Sequence, residues 1–199
     1  MTERTPARAS PAIVIRPARL ADIAAIAGIY RHAVLNGTAS FEIEAPDEKE
    51  MLRRWNALRD GGYPYLVAEC DGATTGYAYA GPYRARPAYQ WTVEDSIYVD
   101  PQMHRHGIGR RLLDCLMTDC EALGFRQMIA VIGDSRQTPS IALHRAAGFR
   151  LIGTMEAVGF KFGGWLDTVL MQRELGPGAS EAPRTGSAEP ILGSNGERS

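Results

Sequence analysis

Two adjacent carboxylates, Glu94 and Asp95, sit in Trp91 to Val99, a segment with little other charge. Val93, Ile97, Tyr98 and Val99, β-branched and aromatic, make it a strand. Alternation along a strand sends the two carboxylates to opposite faces, so one of them faces any ligand on a given side of the sheet. A partly buried carboxylate has a raised pKa and becomes a better general base near neutrality. Beyond Asp100-Pro101 comes His104-x-x-Gly107-x-Gly109, with Arg105, Arg110 and Arg111 around it. Glycines at a helix start leave backbone N–H groups free at the positive end of the dipole, where a phosphate-bearing ligand can sit. The loop is not a Walker loop, because Arg110-Arg111 follows Gly109. It is not a dinucleotide fingerprint, because Leu112 stands where a third glycine belongs. Arg84 and Arg86 lie on an irregular stretch just before the strand, and a guanidinium matches a carboxylate or phosphinate with paired donors. His144, on an amphipathic helix, is either a proton donor or a structural histidine. His104 and His106 form His-x-His without a carboxylate or cysteine at ligand spacing, so no metal centre is expected.

The elements that must position these groups follow from periodicity. Ile13–Arg16 reads as a first strand. Leu20, Ile23, Ile26, Ala27, Tyr30 and Val34 form one helical apolar face, and Gly37 is expected to end that helix in the left-handed conformation. Asp47 and Glu50 make a capping box for a second helix carrying Met51, Leu52, Trp55 and Leu58. Strands at Tyr65–Cys70 and Thr75–Ala80 are joined through Asp71-Gly72, a hairpin signal. After the glycine loop, Leu112, Leu113, Leu116, Met117, Cys120 and Leu123 recur at helical spacing. A strand at Gln127–Ile132, a helix over Pro139–Ala147 and strands near Leu151–Val158 and Trp165–Leu175 complete the chain. The expected fold is α/β (α+β): a mixed, mostly antiparallel sheet of about six or seven strands with helices on both faces.

The bulk composition narrows the function. A chain of 199 residues with 45% apolar content suits one globular domain. The domain is expected over residues 13–175, between a disordered leader at 1–12 and a flexible tail at 176–199. A net charge of −1 offers nothing to nucleic acid or to an anionic membrane. No apolar run reaches the length of a membrane span, and the N-terminus has no signal core. Cys70, Cys115 and Cys120 read as reduced thiols of a cytoplasmic protein.

The order strand, His-x-x-Gly-x-Gly loop, helix, strand, helix and Gly148-Phe149 resembles the GNAT superfamily of acetyl-CoA-dependent N-acetyltransferases. Three segments narrow the resemblance: Thr92-Val93-Glu94-Asp95-Ser96-Ile97-Tyr98-Val99, Ala130-Val131-Ile132-Gly133, and Gly159-Phe160-Lys161-Phe162-Gly163-Gly164-Trp165-Leu166-Asp167. They are similar to the phosphinothricin and methionine sulfoximine/sulfone acetyltransferases, with Phe162 and Leu166 on the sulfone side where the herbicide-resistance branch tends to have histidine. The resemblance implies a splay between the strand ending at Val99 and the strand Gln127–Ile132, where pantetheine would enter. It implies Glu94 as base or amine-binding group and His144 as the acid for the departing thiolate. Arg84, Arg86, Ser96 and Phe162 become substrate contacts. Ile97, Tyr98 and Val99 become pantetheine contacts, and Arg105, His106, Gly107, Ile108, Gly109 and Arg110 the pyrophosphate cradle. Gln137 stands where relatives place a cofactor-binding asparagine, and His104 where they carry glutamine or arginine. The expected cosubstrate is acetyl-CoA, with no metal, and the expected partners are a small amino-acid substrate and a second copy of the chain. Acetylation of a protein N-terminus or lysine, and a catalytically silent acyl-CoA-binding module, are the competing functions.

Overall fold

A computed structural model describes residues 12–183. Seven strands form one sheet: β1 (Ile13–Pro17), β2 (Tyr65–Cys70), β3 (Ala73–Pro82), β4 (Thr92–Val99), β5 (Gln127–Gly133), β6 (Arg150–Lys161) and β7 (Gly164–Glu174). Their order across the sheet is β1-β2-β3-β4-β5-β7-β6. Every neighbouring pair is antiparallel except β4 and β5. The parallel pair is hydrogen-bonded only from Thr92↔Gln127 to Asp95↔Ala130. Beyond that register Ser96–Val99 stays paired to β3 while β5 stays paired to β7, so the sheet forks. The expected splay is present.

Four helices cover the two faces: α1 (Ile23–Asn36) and α2 (Glu48–Asp60) on one side, α3 (Ile108–Ala122) and α4 (Thr138–Ala146) on the other. Ile26, Tyr30, Val34, Met51 and Trp55 pack onto Tyr65, Val67 and Tyr77. Ile108, Leu112, Leu113 and Leu116 pack onto Ala78, Ala80, Val93, Met128 and Met171. Burying a Leu or Ile side chain contributes about 1.5–3 kcal/mol, and these two layers hold β4 from both sides.

Local chemistry sets the ends. The Asp47 side chain accepts from Glu50 N–H at 2.8 Å and opens α2. Asp71 (φ 50°) and Gly72 (φ 80°) turn β2 into β3 as a primed hairpin. Gly37 departs from expectation: at φ −140°, ψ 173° it is extended, not left-handed. An added Cβ there would lie 3.1 Å from Ala33 O, so close approach to the helix end is what needs glycine. The motif from Gly159 to Trp165, read from sequence as a connection between strands, is mostly strand. Bulges at Leu151/Gly153 and Met155/Gly159 let β6 run to Lys161, and the turn is only Phe162 (φ 52°) and Gly163 (φ 75°). After Leu175 the chain turns, with Gly178 N–H bonded to Leu175 O and Ser180 N–H to Pro177 O. Residues 1–11 of the expected leader and 184–199 of the expected tail lie outside the described residues.

Candidate active site

β4 carries the site because alternation gives it two chemically different faces. Glu94, Ser96 and Tyr98 face α1 and α2, and Val93, Asp95, Ile97 and Val99 face α3 and α4. Glu94 is half-buried at the apex of the fork, paired in register with Gly81 on one side and Ile129 on the other. Burial, reinforced by the negative charge of Asp95, raises its pKa. Ser96 lies beside it on the same face, opposite Tyr79 in the β3–β4 register.

The surrounding wall is aromatic. Tyr77 stacks on Tyr65, Tyr79 and Tyr98, with ring centroids at 5.8, 6.3 and 5.3 Å, and Tyr30 meets Tyr98 edge-on at 5.0 Å. Burial pushes the Tyr30 phenol up to about 12, so it stays protonated. Its hydroxyl bonds Ser40 and Glu42, and Glu42 is bridged by Arg54 at 2.6 Å.

The segment between α1 and α2 forms the rim and is tied down at three places. Lys161 Nζ donates to Gly37 O at 2.9 Å and Ser40 O at 2.7 Å. Lys161 is only 5% exposed, and burial lowers its pKa. The Thr38 hydroxyl donates to Asp134 at 2.9 Å and accepts from Gln137 Nε2 at 3.0 Å. Phe41 presses on two glycines: an added Cβ would lie 2.9 Å from its ring at Gly133 and 2.4 Å at Gly159. Sequence reasoning missed Lys161, Thr38, Asp134 and the tyrosine wall. Only the wall had a signal, the alternating Tyr77-Ala78-Tyr79.

The glycine loop lies at the other end of β4. Asp100 caps a short turn over Pro101–Met103, and His104 Nε2 lies 3.1 Å from Val99 O. Arg105 (φ 64°) and Gly107 (φ 78°) then aim the backbone into α3. Among the described residues, the N–H groups of Arg105, Gly107, Ile108, Gly109 and Arg110 meet no backbone acceptor outside α3, while a turn over His104-Arg105 engages His106 N–H. A Cβ added at Gly107 would meet nothing within 4 Å, so the space above the loop is open. Gly109 is tighter, with Leu143 3.4 Å from its would-be Cβ. Such a helix start has the geometry to hold an anion. The Arg110 side chain is engaged, by Asp114 at 2.7 Å and by Ala146 O at 2.9 Å. Arg105 is exposed, and Ile108 is buried beneath the loop. His106 Nδ1 lies 3.0 Å from His104 O. No group of three metal-ligating side chains forms among the described residues.

His144 is buried. Its Nδ1 lies 2.8 Å from Ser140 O and its Nε2 2.9 Å from Asp95 Oδ2, while Phe149 meets the ring edge-on. Both nitrogens are occupied, so a proton given to a thiolate would come from one of these two bonds. Gln137 caps α4, and its amide is spent on Thr38. Arg84 is exposed with its guanidinium over the Tyr83 and Tyr89 rings, at 5.1 and 5.8 Å, and Arg86 is exposed on the same segment. Phe162, 64% exposed, sits at the hairpin tip, 5.0 Å from Lys161 Nζ. Leu166 is 2% exposed and lies in the core. The fold therefore brings Glu94, Ser96, the fork and the glycine loop onto one strand, and leaves Arg84, Arg86 and Phe162 on the periphery.

An open glycine loop thus lies at one end of a forked strand, and a carboxylate of raised pKa lies along it at the fork. The family model described as the acetyltransferase (GNAT) domain matches residues 15–170, and the chain belongs to that family. Phosphinothricin N-acetyltransferase of Alcaligenes faecalis is 51% identical over 86% of this chain and 87% of its own length. L-methionine sulfoximine/L-methionine sulfone acetyltransferase of Salmonella typhimurium is 41% identical over 82% and 95%. The crystal structure of a phosphinothricin acetyltransferase of the GNAT superfamily from Sinorhizobium meliloti, in complex with acetyl-CoA, superposes with a TM-score of 0.87 at 50% identity. It covers 90% of this chain and 97% of that one.

Proposed function

We propose that this N-acetyltransferase moves the acetyl group of acetyl-CoA to the α-amine of a small amino acid or analogue: methionine sulfone, methionine sulfoximine or phosphinothricin. One observation carries the reading. Glu94, with its raised pKa, stands at the apex of the fork on the same strand that leads to an open anion cradle. The free N–H groups of Arg105 and Gly107–Arg110 fit a pyrophosphate, and Ile97–Val99, unpaired toward β5, fit the amides of a pantetheine arm. When bound, acetyl-CoA supplies a thioester carbonyl carbon as electrophile.

Glu94 takes the proton from the substrate ammonium and so frees its lone pair. The nitrogen forms the new C–N bond, and a backbone N–H of β4 past the fork steadies the oxyanion. The C–S bond then breaks, the cationic nitrogen gives up its surplus proton to solvent, and the thiolate takes a proton from His144 and leaves as the free thiol. Ser96 and Tyr79 orient the amine, and Arg84, with Arg86, reads the substrate carboxylate. Gln137 supports this site through Thr38 rather than through the cofactor.

The partner is a second copy of the chain. Leu151, Met155, Val158, Phe160, Phe162 and Trp165 are exposed apolar side chains along the edge strand β6 and its hairpin with β7. Light scattering at micromolar concentration reads a dimer if this is right and a monomer if it is wrong. A cytoplasmic location is supported by three free thiols. No helix among the described residues is long and apolar enough to cross a membrane.

Thiol release from acetyl-CoA on addition of each amino acid, with product mass measured, tests the function. Release with methionine sulfone or phosphinothricin supports it. Release only with peptides points to a protein amine acetyltransferase. Acetyl-CoA binding with no release from any amine points to a silent binding module.

A further inference from the structure

Asp95 has no part in the chemistry above, yet it is the more unusual of the two adjacent carboxylates. It is 6% exposed, its Oδ2 lies 2.9 Å from His144 Nε2, and its Oδ1 has no partner among the described residues. It also marks a boundary. Asp95↔Ala130 is the last register pair between β4 and β5 before the fork opens. His144 belongs to α4, the helix that follows β5, so the contact spans the fork by side chains where backbone bonding stops.

One proton lies in the bridge. Nδ1 faces the Ser140 carbonyl and must donate to it, so Nε2 either donates to an ionised Asp95 or accepts from a protonated one. The last turn of α4 decides. The negative end of the helix dipole favours a cation, and His144 lies in that turn. We propose that Asp95 is a positioning residue: it clasps His144 as an imidazolium across the apex of the fork, fixing the opening of the cleft and a buried positive charge beneath it. The other charged and titratable groups around the pair are Glu94, next along β4 on its opposite face, Cys120 on α3, and Arg110 and Arg173, whose guanidinia bond Ala146 O and Ala147 O at the end of α4.

The functional consequence rests on the acetyl-transfer reading; the state of the ring does not. The test begins with nitrogen-15 NMR of the histidine rings in the full wild-type chain. His144 should carry protons on both nitrogens at pH 7 and titrate above the ordinary value of about 6.5. A neutral ring at pH 7 overturns the clasp without touching the reading of the enzyme. Asp95→Asn keeps a hydrogen-bond partner but removes the charge. It should lower the His144 pKa by about one unit or more, a tenfold change in proton affinity. It should also lower kcat about tenfold at pH 8 with acetyl-CoA Kd within about twofold, and the ratio of variant to wild-type kcat should rise toward one as the pH falls. Removing this charge also lowers the pKa of Glu94, so the comparison is repeated in His144→Gln. A pH-dependent ratio that vanishes there runs through His144 and supports the proposal. One that persists runs through Glu94 and overturns it.

Discussion

Replacing Lys161 by methionine should damage amino-acid binding while sparing the cofactor. The ammonium makes two bonds, at 2.9 and 2.7 Å, to carbonyls of the segment between α1 and α2. A bond from a charged donor contributes about 1.5–3 kcal/mol net. Methionine fills the same space but leaves Gly37 O and Ser40 O without a donor. Relief of the buried charge offsets part of the loss, so about 2–3 kcal/mol remains. In a domain of this size that lowers Tm by about 5–10 °C. Thr38 is still held by Asp134 and Gln137, so the segment loosens without coming free. About half of the loss should then fall on substrate binding, roughly a tenfold rise in amino-acid KM. The glycine loop and the fork lie outside this contact, so acetyl-CoA Kd should stay within about twofold. Steady-state kinetics over both substrates, calorimetry with acetyl-CoA and a melting curve make the measurement. Equal losses of affinity for both substrates, or an unchanged amino-acid KM in a destabilised protein, would refute the idea that Lys161 shapes the rim.

Three further outcomes follow from single contacts. Glu94→Gln should keep acetyl-CoA binding and lose about tenfold or more in kcat at neutral pH; full turnover removes Glu94 from proton transfer. Gly107→Val should weaken acetyl-CoA binding strongly, since it puts a branched side chain on a φ of 78° and into the open cradle; unchanged affinity by calorimetry in a folded variant excludes the loop from the site. Asp22 is held near a pKa of about 2, chiefly by the Arg16 guanidinium, which bonds it at 2.8 Å. A depressed carboxylate stabilises the fold above its unfolded pKa of about 3.9, and that stability is lost as the pH falls toward 2. Asp22→Asn should therefore cost about 2 kcal/mol at pH 7 and little near pH 2; an equal Tm deficit at both pH values would contradict this.

The parts of the fold legible in the sequence were those governed by short-range periodicity. The β4 run, the α3 face and the Asp71-Gly72 hairpin each follow from a window of a few residues. Alternation put one of Glu94 and Asp95 on each face of the sheet, and the resemblance picked Glu94. The resemblance supplied the fork, which depends on where two distant strands stop pairing. What stayed hidden was long-range. Lys161 reads as one more surface lysine until β6 brings it beneath Gly37 and Ser40. Gly133 and Gly159 stood only within segments of the resemblance, and the fold shows close approach of the Phe41 ring at both, with Thr38 O closer still at Gly133. His144 looked like a free acid, and only the fold brings Asp95 within reach of its second nitrogen.

Substrate preference tests the account most directly. Under the proposed function the exposed apolar ring of Phe162 is a substrate contact, and a sulfone or sulfoximine would lose less on meeting it than an anionic phosphinate would. The 51% identical relative nonetheless carries the phosphinothricin name. The deciding measurement is kcat/KM for methionine sulfone, methionine sulfoximine and phosphinothricin with one preparation at one pH. The account predicts acetylation of all three α-amines, with the sulfone or sulfoximine favoured by about 1–2 kcal/mol of transition-state binding, roughly five- to thirtyfold. Preference for phosphinothricin would show that Phe162 does not set the choice, and turnover of none of the three would contradict the proposed function itself.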